Sequence, residues 1–192
     1  MTDIFQTLEN RGNQTEIENH GPFICTLCDK NGKLKRGTRE PWLGEGYYFW
    51  DTRIKDAHWW GQLNYSYIGY YICHTKYNHL SPLLFDMVGN VSHMDTFINC
   101  ARIIKQRKNL HKISFPVVLE YLKKHTDFNF KAIRVWPDPL VDHTSTSENI
   151  YFPGNKAVAR LLEKIQICFF DRTLLSEPFK VYKTVPPTNF TA

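Results

Sequence analysis

Apolar and polar positions along the chain fall into short, ring-rich runs separated by polar segments that carry glycine or proline. Residues 1–21 are polar, and the pattern reads 1–19 as a loosely packed lead-in, or a short helix followed by a loop. From Pro22 onward, PFICTLCD followed by KNGKLKRG predicts a strand, a turn at Asn31-Gly32 and a return, because Asn-Gly readily supplies the positive φ angles of a tight hairpin. Beyond a Pro41-Trp42 corner, GYYFWD (46–51) predicts an aromatic strand, and TRIKDAHWWGQL (52–63) has helical spacing, with Ile54, Ala57 and Trp60 or Gly61 on one face. A second aromatic strand, YSYIGYYICHT, ends at a loop over 78–82, and LLFDMVG reads as a strand or turn. A helix over 93–107 follows, with Asn90 or Ser92 as its N-cap. A second helix starts near Ser114 with Pro116 in its first turn, where the missing N–H costs nothing, so 92–126 is a helical region. FKAIRVW predicts a strand, 137–149 a loop rich in Pro, Asp, Ser and Thr, KIQICFF (164–170) a core strand and FKVYKTV an edge strand. Strands, then helices, then strands again indicate an α+β domain with a mixed or antiparallel sheet, and residues 1–192 are taken as one domain.

Composition adds a filled core: 42% of residues are hydrophobic and 15% aromatic, which leaves rings over for a pocket. The net charge of +5, from 24 Lys and Arg against 19 Asp and Glu, suits an anionic ligand but falls short of a nucleic-acid signature. The basic runs over 30–39 and 102–112 read first as solvated faces and second as anion-binding patches. Five cysteines without a preceding apolar leader indicate free thiols and a cytoplasmic protein. Cys25 and Cys28 form a CxxC that Cys73 and His74 would complete as a zinc site, but a second closely spaced pair is missing. No run approaches the roughly 18 apolar residues of a membrane span, so no membrane partner is expected. Phosphate-loop, dinucleotide-fold, serine-hydrolase and common zinc-protease motifs are all missing.

The segment LGEGYYFWDTRIKDAHWWG carries the chemistry. Gly44 and Gly46 place two residues without side chains at a strand entrance, where a flat ligand can approach the backbone. Tyr48 follows, then Asp51 at the strand end, Lys55 and Ala57 on a helical turn, and Trp59 eleven residues after Tyr48. This order resembles the poly(ADP-ribose) polymerases and related bacterial ADP-ribosyltransferases, in which G-x-G-x-Y-F precedes an acidic residue and a Lys-x-Ala helix. The resemblance is carried by residues 42–61, is weaker over 164–171, and does not extend to the rest of the chain. On composition alone, the same rings are ordinary core aromatics.

The resemblance implies a split mixed or antiparallel sheet with a helical insertion, which binds NAD as substrate between the two halves. Tyr48 and Trp59 would clamp the nicotinamide ring, a flat cation that aromatic faces hold by stacking and cation–π attraction, with Gly46 and Tyr47 beside it. The family's first polar position is usually a histidine that ends an apolar strand and precedes glycine; His20-Gly21 matches it by residue type, with Thr26 as the alternative. Its late-strand glutamate is matched by Gln166 in QICFFD, followed in rank by Glu163 and Glu148. A neutral amide at that position can bind a ribose hydroxyl but brings no charge to a developing cation. The implied activity is mono-ADP-ribosyl transfer from NAD to a protein or nucleic acid, as in a bacterial toxin or phage-defence effector with an antitoxin or immunity partner. The alternatives are an NAD glycohydrolase and a catalytically silent NAD- or ADP-ribose-binding module.

Overall fold

Among the described residues, ring-bearing and β-branched residues build nine strands and the amphipathic stretches build four helices. In chain order these are β1 (Thr2–Glu9), α1 (Gln14–His20), β2 (Tyr47–Asp51), α2 (Ile54–Tyr65), β3 (Tyr70–Tyr77), β4 (Leu84–Asp86), α3 (Val91–Lys108), α4 (Phe115–His125), β5 (Ala132–Val135), β6 (Glu148–Tyr151), β7 (Val158–Leu161), β8 (Gln166–Phe169) and β9 (Lys180–Val185). This computed structural model describes residues 1–29, 31, 33–35, 41–137, 148–155, 157–161, 163–176 and 178–188. Seven strands form one mixed sheet in the order β4-β5-β8-β2-β1-β3-β9, and β6 and β7 pair separately. Within the large sheet β4 and β5 run parallel and the other described pairs antiparallel. The class is therefore α+β, as the order of elements indicates.

Local signals account for most boundaries. The Asn90 side chain accepts the His93 N–H at 3.2 Å and starts α3, which ends at Asn109 in the left-handed conformation with Lys105, Arg107 and Lys108 in its last turn. Helix α4 begins after Ser114 with Pro116 in its first turn and buries Val118, Leu119 and Leu122. In the segment expected as a hairpin after Pro22, Cys28 is bridged to Leu34, and Cys25 is bridged to Gly46 ahead of β2, in a narrow ladder; Lys30, Gly32 and residues 36–40, which include part of the expected turn and return, lie outside the described residues. Residues 138–147, the larger part of the predicted loop, lie outside the described residues; β6 begins at Glu148 and pairs with β7.

One reading of the sequence is corrected. Residues 2–9 are no lead-in: β1 lies between β2 and β3, pairs with β3 along its whole length, and buries Ile4, Phe5, Gln6 and Thr7. Two polar residues at buried positions break the near-continuous apolar run that marks a central strand, and this hid it.

Alternation divides the sheet's core into two faces. Ile4, Phe49, Cys73, Ile167 and Phe169 pack with Ile17 of α1 and with Phe179. On the other face Phe5, Trp50 and Ile72 pack with Ala57 of α2, while Ile133 and Cys168 pack with Phe97, Ile104, Leu119 and Leu122 of α3 and α4. A polar network crosses the first face: the Arg134 guanidinium donates to Asp51 at 2.8 Å and to Asp86 at 3.1 Å. Burial pushes the Asp86 carboxyl up, but the Val88 and Gly89 amides and Arg134 outweigh it and hold it below the usual range.

Candidate functional site

The register of β2 against β8 sets Trp50 opposite Gln166 and Tyr48 opposite Cys168. Directly opposed residues share a face, so Tyr48, Trp50, Gln166 and Cys168 all point to the side that carries α2, α3 and α4. Trp59 of α2 meets Trp50 edge to face, with ring centroids 5.9 Å apart. The indole N–H of Trp42 donates to Gln166 Oε1 at 2.8 Å. Gln166, only 8% exposed, thus sits beside a group of tryptophans, with one lone pair of its carbonyl occupied by Trp42.

Tyr48 closes the turn before β2. Its hydroxyl accepts the Leu43 N–H at 2.8 Å and donates to the Gly44 carbonyl at 2.7 Å, and burial pushes the phenol far above its ordinary range. Gly44, at φ +85°, supplies the backbone conformation that this turn requires. The space beside Gly46 has a different use from the one expected. A Cβ there would collide with Cys168 Sγ and the Phe169 carbonyl, so the missing side chain lets β2 pack against β8 and does not open a path for a ligand. Tyr47 alternates to the opposite face, packs with the cluster around Phe49, and has the Arg172 guanidinium 5.2 Å over its ring.

His20 and Gly21 are not brought to Tyr48. They end α1, on the opposite face of the sheet, where His20 is exposed, its carbonyl accepts from Arg172, and Phe179 fills the space beside Gly21. Thr26 donates to the Cys28 carbonyl within the narrow ladder. The strand that runs beside β2 is β1, and its buried polar residues are Gln6 and Thr7. β1 and β2 pair only at Ile4–Asp51 and Phe5–Trp50 and then part. Across the resulting split the Gln6 amide donates to the Tyr48 carbonyl at 3.0 Å, while its Oε1 is buried without a hydrogen-bond partner among the described residues. Thr7 donates to the Ala57 carbonyl of α2 at 2.7 Å. Sequence reasoning missed both because it read no strand there; the signal available was the IF dipeptide at residues 4 and 5 before a helix ending in Gly21.

Beyond the split, Leu8, Glu9, Arg11, Asn13, Phe23 and Tyr65 line a cleft of about 360 Å³. Asn13 Oδ1 at this cleft is buried without a partner among the described residues. A charged group also lies near Trp59. Asp56 in the first turn of α2 is 1% exposed, its Oδ1 lies 3.7 Å from Arg53 Nη2, and its Oδ2 has no hydrogen-bond partner among the described residues. Burial pushes this carboxyl from 3.8 up to about 6, against the pull of Arg53 and Lys164. The Lys164 ammonium lies 4.4 Å from the centre of the Trp59 ring. Glu163 is half-buried in the segment leading into β8, and Glu148 opens β6, outside the large sheet, with its side chain outside the described residues.

Among the described residues no helix is long and apolar enough to cross a membrane, and no three His, Cys, Asp or Glu gather closely enough to hold a metal ion. Comparison of the chain with protein-family models, with curated proteins and with solved structures finds no match.

Proposed function

We propose that the chain is an ADP-ribosyltransferase-like domain that binds NAD as substrate and transfers ADP-ribose to a macromolecular acceptor, protein or nucleic acid. The observation that carries this reading is the meeting of Trp59 on α2 and Gln166 on β8 at Trp50, on the side of the sheet that Tyr48 also faces and next to where β1 and β2 part. Aromatic faces and a buried carboxyl suit a cationic nicotinamide ring. The Gln166 amide suits a ribose hydroxyl, and the cleft of about 360 Å³ beyond β1 has room for another part of the dinucleotide.

In the reaction the bond between the ribose C1′ and the nicotinamide nitrogen breaks, and nicotinamide leaves with the electron pair as a neutral molecule. The acceptor nucleophile adds to C1′ and loses its proton. Gln166 orients the ribose, and the rings exclude water and hold the leaving group flat. A second reading, a binding module without catalysis, draws support from one feature: Gln166 carries no charge to stabilise the oxocarbenium-like transition state.

Labelled NAD incubated with separated cell protein, RNA and DNA tests the proposal. Labelling by the wild type, lost on Tyr48→Ala and on Gln166→Ala, is the expected result. NAD binding by calorimetry without labelling leaves the module reading, release of nicotinamide from NAD alone indicates a glycohydrolase, and no binding at all overturns the proposal.

A further inference from the structure

Lys164 places an ammonium on an aromatic face that the NAD reading leaves for a cationic ring. A single lysine on a surface tryptophan is unremarkable by itself, at about 0.5–1 kcal/mol for an exposed cation–π pair. Here a second feature accompanies it. Asp56 stands three residues before Trp59 on α2, hence on the same side of the helix, and is almost wholly buried with one carboxylate oxygen lacking a partner among the described residues. Lys164 acts on it electrostatically, and Arg53 Nη2 lies 3.7 Å from the other oxygen. A π face and an incompletely satisfied carboxylate on adjacent turns attract a positive charge, and the lysine is the charge at hand.

We propose that Trp59 and Asp56 form a seat selective for a cationic ring, and that the Lys164 ammonium fills this seat in the free protein and leaves it when the ligand binds. This rests on the NAD reading and deepens it: the seat takes the oxidised, positively charged pyridinium and rejects the neutral dihydropyridine of the reduced dinucleotide. Asp56 sets the charge selectivity, and Lys164 sets the affinity, since its displacement must be offset by the ring that replaces it.

Calorimetric titration of the full chain at pH 8, where Asp56 is ionised, separates the possibilities with two small probes, 1-methylnicotinamide (a cation) and nicotinamide (neutral). The wild type is expected to bind the cation at least tenfold more tightly. Lys164→Met, which keeps the apolar stem and removes the charge, is expected to tighten cation binding three- to tenfold and that of nicotinamide by less, because both rings displace the lysine but only the cation is also repelled by it. Asp56→Asn is expected to abolish the preference while leaving the fold intact by thermal melting. Equal affinity for the two probes, or weaker cation binding by Lys164→Met, overturns the seat. NAD binding with no preference between the probes rejects the seat and retains the function proposed above; cation preference without NAD binding retains the seat and rejects that function.

Discussion

Replacement of Asp56 by asparagine should make the protein more stable at neutral pH, and by an amount that depends on pH in a definite direction. The Asp56 side chain is 2% exposed, and burial lifts its carboxyl from 3.8 to about 6. A shift of this size corresponds to about 3 kcal/mol between the protonated and ionised forms. Because the folded chain holds the proton more tightly than the unfolded chain, protonation favours folding. The protein is therefore most stable, as far as this group is concerned, below about pH 4, loses stability as pH rises from 3.8 to about 6, and carries the full penalty above that window. Asparagine removes the charge but leaves a buried N–H where the protonated acid has a buried O–H, so the two neutral forms are closely matched. Asp56→Asn should thus stabilise by about 2 to 3 kcal/mol at pH 7.5 and by almost nothing at pH 4. Urea unfolding of both proteins at pH 4, 5.5 and 7.5, with equal m-values, measures the difference. A variant that is less stable at pH 7.5, or a difference that is the same at pH 4 and 7.5, refutes the reasoning.

Gly46→Ala forces a methyl into Cys168 Sγ and the Phe169 backbone and should cost at least about 1–3 kcal/mol, read as a lower urea midpoint. Arg134→Met leaves the buried Asp51 carboxylate without its guanidinium and should cost about 3–5 kcal/mol at pH 7 by the same measurement. Tyr48→Phe removes the hydroxyl that joins Leu43 and Gly44 and should cost about 1–3 kcal/mol in thermal stability. If the ring itself holds the ligand, the Kd for NAD measured by calorimetry should change little in Tyr48→Phe and rise at least tenfold in Tyr48→Ala.

What the sequence disclosed follows from which residues obey a period. α2, α3 and α4 were legible because their apolar residues recur on one face and because Asn90 and Pro116 mark two of their starts. β2 and β8 were legible because each is short, ring-rich and bounded by glycine or charge. β1 was not, since Gln6 and Thr7 occupy buried positions where a central strand ordinarily has valine or isoleucine. The same two residues hold the parted end of β1 to its neighbours, Gln6 to the Tyr48 carbonyl and Thr7 to the Ala57 carbonyl. The strand was lost to pattern reading where polar side chains bind neighbouring backbone instead of filling the core. His20 drew attention by residue type, yet its place at the end of α1 depends on β1 preceding that helix. Without β1, nothing in the sequence indicates which face of the sheet α1 covers.

The distribution of charge on the two sides of the site argues for a division of labour between β8 and α2. Gln166 is neutral and already accepts from Trp42, so an added negative charge on β8 would enter a nearly closed setting. The buried carboxyl lies instead on α2, at Asp56, where ionisation costs about 3 kcal/mol in the free protein. Apolar packing offers an obvious way to remove that cost, since Ala57 next to it is fully buried and the surrounding cluster is aromatic. An ionisable group kept in such a place against the folding equilibrium is the arrangement expected where a bound cation recovers the lost energy. In the proposed function, Asp56 recognises the charged ring and Gln166 orients the sugar. The two functions that a single glutamate would combine are then borne by a helix and a strand that meet at Trp50.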